Sequence, residues 1–233
     1  MAQGKLTNSP KAILSWSSGK DSAMALRRVL TTKEVDVVCL LTTTTYQFHR
    51  VSMHGVREEL VHLQAKSLGY PLEKIQIPYP CPNEIYEQQM QNVLSGWKAK
   101  GVSHVIFGDL FLEDIRKYRE EKLAQIHLKP VFPLWGESTA KLAKEMIQVG
   151  FRCVVTCVDP KKLDAGFAGR QFDDSFLRDL PPHVDPCGEN GEFHTFVYDG
   201  PLFDEPIPVV VGESVLRDGF QFVDLLLDCS TDI

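Results

Sequence analysis

Several familiar signals are missing from this 233-residue chain, and each absence removes a class of function. No apolar run approaches the eighteen or so residues of a membrane span, and no long apolar stretch opens the chain, so neither a membrane helix nor a signal peptide is expected. No Lys/Arg-rich tract occurs and the net charge is -6, which argues against a broad nucleic-acid footprint. The six cysteines, at 39, 81, 153, 157, 187 and 229, contain no C-x-x-C pair. Cys39, Cys153 and Cys157 fall in strand-like apolar runs and read as buried free thiols, and a reducing, cytoplasmic compartment is the simplest expectation. Internal repeats and low-complexity tracts are also absent. What is present is the hydrophobic and charged balance of a globular protein, 43% and 24%, with enough length for one large domain or two small ones.

The first two-thirds alternate between short apolar runs and helical stretches. The strand-like runs are 12–17, 35–43, 74–77, 104–108 and 153–158, and they are nearly continuous in Val, Ile and Leu. That pattern suits strands buried on both faces of a parallel sheet. Helices are expected over 21–30, 55–68, 84–100, 113–126 and 138–149, with Gly69, Gly101 and Gly150 as left-handed stops after three of them. This is a doubly wound α/β pattern. Beyond Asp159 the character changes. A Gly-bearing loop over 161–172 leads to a short helix over 173–180, and antiparallel strands are expected at 193–198, 207–211 and 221–227. The chain therefore divides into an α/β domain over 1–159 and a smaller α+β domain over 160–233.

Two stretches carry chemistry. The first is Ser17-Ser18-Gly19-Lys20-Asp21-Ser22, between an apolar strand and a helix. A turn of small residues there aims backbone N–H groups at an anion, above all a phosphate. The spacing is not that of the two-glycine P-loop, because no glycine stands at position 14. The segment resembles the S-G-G-x-D-S loop of the PP-loop (N-type) ATP pyrophosphatases, with Ser18 at the first glycine position. If that position needs positive φ, a non-glycine residue there costs roughly 1 kcal/mol. The second stretch is Asp185–Thr195, with three carboxylates, Cys187, His194 and two glycines in eleven residues. Carboxylates this dense call for a cation or a cationic substrate, unless the stretch is a solvated acidic turn.

That second stretch, followed by Gly200-Pro201-Leu202-Phe203, resembles the C-terminal signature of the diphthine–ammonia ligase family. Met53-His54, Phe107-Gly108-Asp109, Arg116 with Glu120, and Pro133-Leu134-Trp135 match further family motifs in order. The resemblance spans about residues 11–203, and one departure stands out: His194 occupies a position where the family usually has Glu. It implies a PP-loop/HUP-like nucleotide-binding fold using ATP and Mg²⁺. The implied reaction adenylates a carboxylate, such as that of diphthine, a modified histidine of elongation factor 2, with release of AMP and pyrophosphate and transfer to ammonia.

On that reading the nucleotide site comprises Ser17, Ser18, Gly19, Lys20, Asp21, Ser22, Thr42, Thr43, His54, Gly108, Asp109 and Arg116. Lys20, Asp21, Glu189 and Glu192 are the catalytic candidates, and Asp21 is the Mg²⁺ candidate. Cys187, Gly188, Gly191 and His194 would meet the acceptor. Asp21 equally suits a helix N-cap, Thr42 and Thr43 a strand, and Arg116 a solvated helix face. A tRNA-modifying PP-loop enzyme and a non-catalytic ATP/AMP-binding sensor are the competing readings. Partners are an acid acceptor and ammonia, with no nucleic acid or membrane expected and a homo-oligomer allowed.

Overall fold

A computed structural model describes residues 9–231, so residues 1–8 and 232–233 of the two expected domains lie outside the described residues. The first sheet is built from β1 (Lys11–Ser15), β2 (Asp36–Thr45), β3 (Arg50–Val51), β4 (Leu72–Ile77), β5 (Val102–Ile106) and β6 (Lys129–Val131). β1 pairs in parallel with β2 on one side and β5 on the other, so that Ile13 lies beside both Cys39 and Val105. β4 extends the sheet beyond β2 and β6 extends it beyond β5, both in parallel. The chain thus winds outward from β1 in both directions, and the reversal falls between β1 and β5. Ligands of open α/β sheets bind at that place, outside the carboxyl ends of the strands.

Five helices cover the two faces of this sheet: α1 (Lys20–Thr32), α2 (Glu58–Ser67), α3 (Asn83–Ala99), α4 (Glu113–Gln125) and α5 (Thr139–Gln148). Alternate residues of β1 divide the packing. Leu14 joins Leu26 of α1, Leu60 of α2 and Leu142 of α5 in one cluster. Ile13 joins Leu94 of α3 and Leu123 of α4 in the other. The expected helices are present, and Gly69, Gly101 and Gly150 take positive φ just after α2, α3 and α5.

The second sheet is antiparallel, in the order β8-β7-β10-β9. Its strands are β7 (Arg152–Val158), β8 (Phe193–Asp199), β9 (Val209–Arg217) and β10 (Phe220–Leu227), with α6 (Asp174–Asp179) between β7 and β8. Here the sequence reading needs a correction, because Cys153–Val158 was expected in the parallel sheet. Its continuous apolar run reports burial on both faces, which a central antiparallel strand also achieves, and it says nothing about pairing direction. β7 therefore belongs to the second sheet although it precedes residue 160. Phe193, Phe196 and Val223 of that sheet share one buried cluster with Leu14 and Leu40 of the first.

β3 is the element that shapes the site. β4 takes one edge of β2, while β1 and then β3 take the other, so residues 46–55 fold back over the carboxyl end of β1.

Candidate active site

The loop after β1 is held by groups from two elements, α2 and β8. Trp16 donates its indole N–H to Gln64 Oε1 of α2 at 2.9 Å. Gln64 Nε2 in turn donates to the Ser18 carbonyl at 3.0 Å. β8 grips the same loop: Val197 N donates to Ser18 O at 3.0 Å, and Thr195 Oγ1 accepts from Lys20 N at 3.1 Å. Ser18 has φ +72°, so the first glycine position does require the left-handed region, and the buried Ser18 hydroxyl has no partner. Gly19 is the N-cap of α1 and brings no side chain of its own, so the Thr195 hydroxyl takes the first amide, that of Lys20; Asp21 stands inside the first turn and is not the cap. A Cβ on Gly108 would come within 2.9 Å of the Asp21 carbonyl carbon, so only glycine lets the end of β5 lie against the start of α1.

A cavity of about 610 Å³ opens at this junction. Ser17, Asp21 and Ser22 form its floor, Thr42 and Thr43 of β2 one side, and Gly108 and Asp109 the other. His54 enters from the fold-back segment, and Cys187, Gly188, Glu189, Gly191 and His194 enter from the second sheet's loop. Most of the expected site residues therefore meet in one place. Thr42 lines this wall, and its buried Oγ1 has no hydrogen-bond partner.

Five expected residues do not line this cavity. Ser18 and Gly19 turn their bulk into the clamp described above. Lys20 is 1% exposed and lies beneath the loop, with Nζ donating to both Asp21 oxygens at 2.8 and 3.0 Å and to the Cys187 carbonyl. The rings of Phe172 and Phe193 stand 5.6 and 5.3 Å from the same ammonium. Burial is the largest single influence and pulls the Lys20 pKa down, but Asp21 and Cys187 together leave it raised, so the charge persists. Arg116 stacks on Trp135 and pairs with Glu120 at the surface, because α4 turns that face away. One turn later Arg119 reaches the cavity, pairing with Asp109 at 2.8 Å and lying 4.2 Å from the Phe107 centroid. Glu192 is buried and bends back into its own turn, where its Oε1 accepts from Asp185 N and Asn190 Nδ2.

The electrostatics separate the remaining groups. Burial pushes Glu189 up to about 7, with Asp21 and Asp109 adding to the shift, although Oε1 accepts the Leu110 amide at 2.8 Å. His54 is lowered to about 4, first by burial and then by Lys20. His194 is lowered well below its usual range by burial, His54 and Lys20. The two rings lie with centroids 4.5 Å apart, a pair of neutral imidazoles at neutral pH. Burial raises the Cys187 thiol, whose Sγ donates to Thr139 O, so it is a poor nucleophile. Among the described residues no three His, Cys, Asp or Glu side chains cluster closely enough to hold a metal ion alone.

Sequence reasoning did not single out Arg119, Thr195 or Gln64. Thr195 follows His194 in the signature and Arg119 follows Arg116 in the helix, but the facing of each could only be known from pairing. Asn83, Tyr86 and Met90 of α3 also line the cavity and carry no motif.

Comparisons with known proteins agree across nearly the whole chain. The diphthamide synthase N-terminal domain matches residues 10–130, and the diphthamide synthase C-terminal domain matches residues 138–225. A diphthine–ammonia ligase of Danio rerio is 31% identical over 72% of this chain and 71% of its own. The Homo sapiens protein of the same name is 26% identical over 76% of this chain and 68% of its own. Among solved structures, a predicted subunit of tRNA methyltransferase from Methanocaldococcus jannaschii aligns over 61% of this chain and 77% of its own, at 17% identity and a TM-score of 0.40, too distant to bear on function.

Proposed function

The chain belongs to the diphthamide synthase family and is an ATP-dependent ligase; on that premise we propose that it joins ammonia to a carboxylate by way of an acyl-adenylate, with diphthine as the acceptor. The observation that carries this reading is the N-terminus of α1, with glycine at its N-cap, set by the Ser17–Ser22 loop against a cavity at the sheet's reversal point. Such an N-terminus is a ready site for phosphate.

The backbone of the loop would hold the phosphates, with Lys20 supplying fixed positive potential from beneath. Thr42 and Thr43 would line the nucleoside. An acceptor carboxylate oxygen bonds to the α-phosphorus as the α–β P–O bond breaks, and the electron pair leaves with pyrophosphate. Charge grows on the leaving group, and preorganised N–H dipoles stabilise it without reorganising. Mg²⁺ suits the site: Asp21 is the carboxylate at hand, and such ions are bound by one or two carboxylates plus substrate phosphates. When bound, it neutralises phosphate charge.

Glu189 is the proton acceptor for the second step. With a pKa of about 7 it is partly ionised at neutral pH, as a general base requires. The nitrogen of ammonia bonds to the acyl carbon, Glu189 takes the proton that nitrogen sheds, and AMP leaves with the electrons of the C–O bond. His54 and His194, neutral and adjacent, are suited to hydrogen-bond the acceptor's carboxylate without adding charge. The free state of every described cysteine fits a reducing compartment.

The test is product analysis with ATP, MgCl₂, ammonium chloride and diphthine-bearing elongation factor 2. AMP and pyrophosphate should form in equal amounts with the amide; ADP and phosphate, or no dependence on the acceptor, overturns the proposal.

A further inference from the structure

A crevice of about 70 Å³ between α3 and α4 adjoins the nucleotide cavity. The two share Ser15, Leu41, Tyr86, Met90, Phe107 and Arg119, so these residues mark one end of the nucleotide cavity. That end is largely apolar. The phosphate-loop residues Ser17, Asp21 and Ser22 line the larger cavity alone.

A column of planar groups runs into this end from the surface. The Arg116 guanidinium lies 4.6 Å from the Trp135 ring centroid and 5.1 Å from that of Phe132. Phe132 stacks on Phe107, with centroids 5.6 Å apart and planes inclined by 26°. The Arg119 guanidinium then lies over the Phe107 ring, 4.2 Å from its centroid. Arg119 is the last member of the column. Among the described residues it is also the only lysine or arginine that lines the nucleotide cavity.

A lone cation beside a triphosphate suggests a phosphate clamp, and the geometry opposes that role. A guanidinium donates its hydrogen bonds in its own plane. Here Nε and Nη2 already face the two oxygens of Asp109, at 2.8 and 3.1 Å. The same carboxylate neutralises the charge that a phosphate would seek. The faces of the group are a different matter, because stacking uses no donor. One face is backed by Phe107, and the other is left to the cavity. A delocalised, weakly hydrated guanidinium stacks on flat π systems. The flat π system of a nucleotide is its base.

We propose that Arg119, pinned at its edge by Asp109 and backed by Phe107, is the platform on which the nucleotide's base stacks, with the phosphates running from there toward the Ser17–Ser22 loop. The proposal rests on the reading of this cavity as the place of ATP. It goes further in making a charged planar face on α4 a determinant of base selection, favouring the larger purine ring over a pyrimidine.

The test titrates ATP, CTP and adenosine into the full chain with MgCl₂ present, followed by NMR. Adenosine carries the base and no phosphate. Arg119→Lys keeps the charge and removes the plane, so it should weaken ATP and adenosine by the same factor, about tenfold, the scale of one stacked base. The parent should prefer ATP to CTP, and that preference should narrow in the variant. Phe107→Leu keeps Arg119 and removes its backing ring. It should weaken ATP and adenosine about threefold, and it provides the reading if Arg119→Lys lowers the melting temperature. Weakened ATP with unchanged adenosine in Arg119→Lys identifies a phosphate contact and overturns the proposal. So does parental binding of both ligands by that variant, or a parent that binds ATP and no adenosine. ATP that does not bind the parent removes the nucleotide reading of the cavity and this proposal with it, an outcome distinct from the other three.

Discussion

At the residue scale, Ser18 and Glu189 both hold positions their chemistry resists. Ser18 sits at φ +72° with its buried hydroxyl unpaired, two costs that glycine would not bear. Ser18→Gly should therefore stabilise the protein by about 1 kcal/mol, a rise of a few degrees in thermal melting. An unchanged or lower melting temperature would show that the hydroxyl has a use. Glu189 makes a prediction in pH. Its folded-state pKa is raised to about 7, so folding takes up a proton between the unfolded value and 7, and the native state loses stability as pH rises through that window. As the base, however, it must be ionised. The rate should accordingly climb with pH through an apparent value near 7, just where stability declines. Glu189→Gln should abolish the climb and flatten the decline, and a retained rising limb in that variant would assign the base elsewhere. The loop and the acidic stretch were legible in the sequence because short side chains and charges at fixed spacing are local signals. The inward turn of Lys20 was not, because it depends on the Cys187 carbonyl, far along the chain.

At the scale of elements, β8 is what fixes the phosphate loop, and it does so from the other sheet. Thr195 meets Lys20 N, Val197 meets Ser18 O, and Gln64 bridges Ser18 O to Val197 O and to Trp16. Thr195→Val keeps the shape of the strand and removes the hydroxyl, leaving the Lys20 amide unpaired and buried. It should cost roughly 1–3 kcal/mol in stability and weaken ATP binding, measured by calorimetry, about tenfold or less. Gln64→Leu breaks more bonds of the same junction and should cost more. A Thr195→Val protein with parental affinity for ATP would mean that the second sheet does not hold the loop. None of this junction could be read from periodicity. The helices and the parallel strands were legible because apolar spacing encodes burial. β7 was assigned to the wrong sheet because burial on both faces looks the same for either pairing direction, and β3 and β6 are too short to leave a pattern.

At the scale of the whole molecule, the two sheets behave as one body. Leu14 and Leu40 of the first lie in the same buried cluster as Phe193 and Val223 of the second, even though the family's two domain matches meet between residues 130 and 138. Thermal unfolding should therefore be a single cooperative transition, and two resolved transitions would show that the shared cluster does not couple the halves. A polar tie adds to it. Asp224 of β10 accepts from Arg50 of β3 at 2.8 Å and from Arg57, the N-cap of α2, at 3.0 and 2.7 Å. Those guanidiniums overcome the cost of burial and hold the Asp224 carboxyl well below its ordinary range. A depressed carboxyl stabilises the native state only while it is ionised and the unfolded one is too, that is, above about pH 4. Asp224→Asn should thus lower stability by a constant amount from pH 5 to 8, about 2 kcal/mol or less because the pair is partly solvated. The gap to the parent should close as pH falls below 4, where the carboxyl of the unfolded chain begins to protonate while the folded one stays ionised. Urea unfolding at stepped pH measures the difference directly, and a gap that persists undiminished at pH 2 would show that the tie is steric, with no contribution from charge.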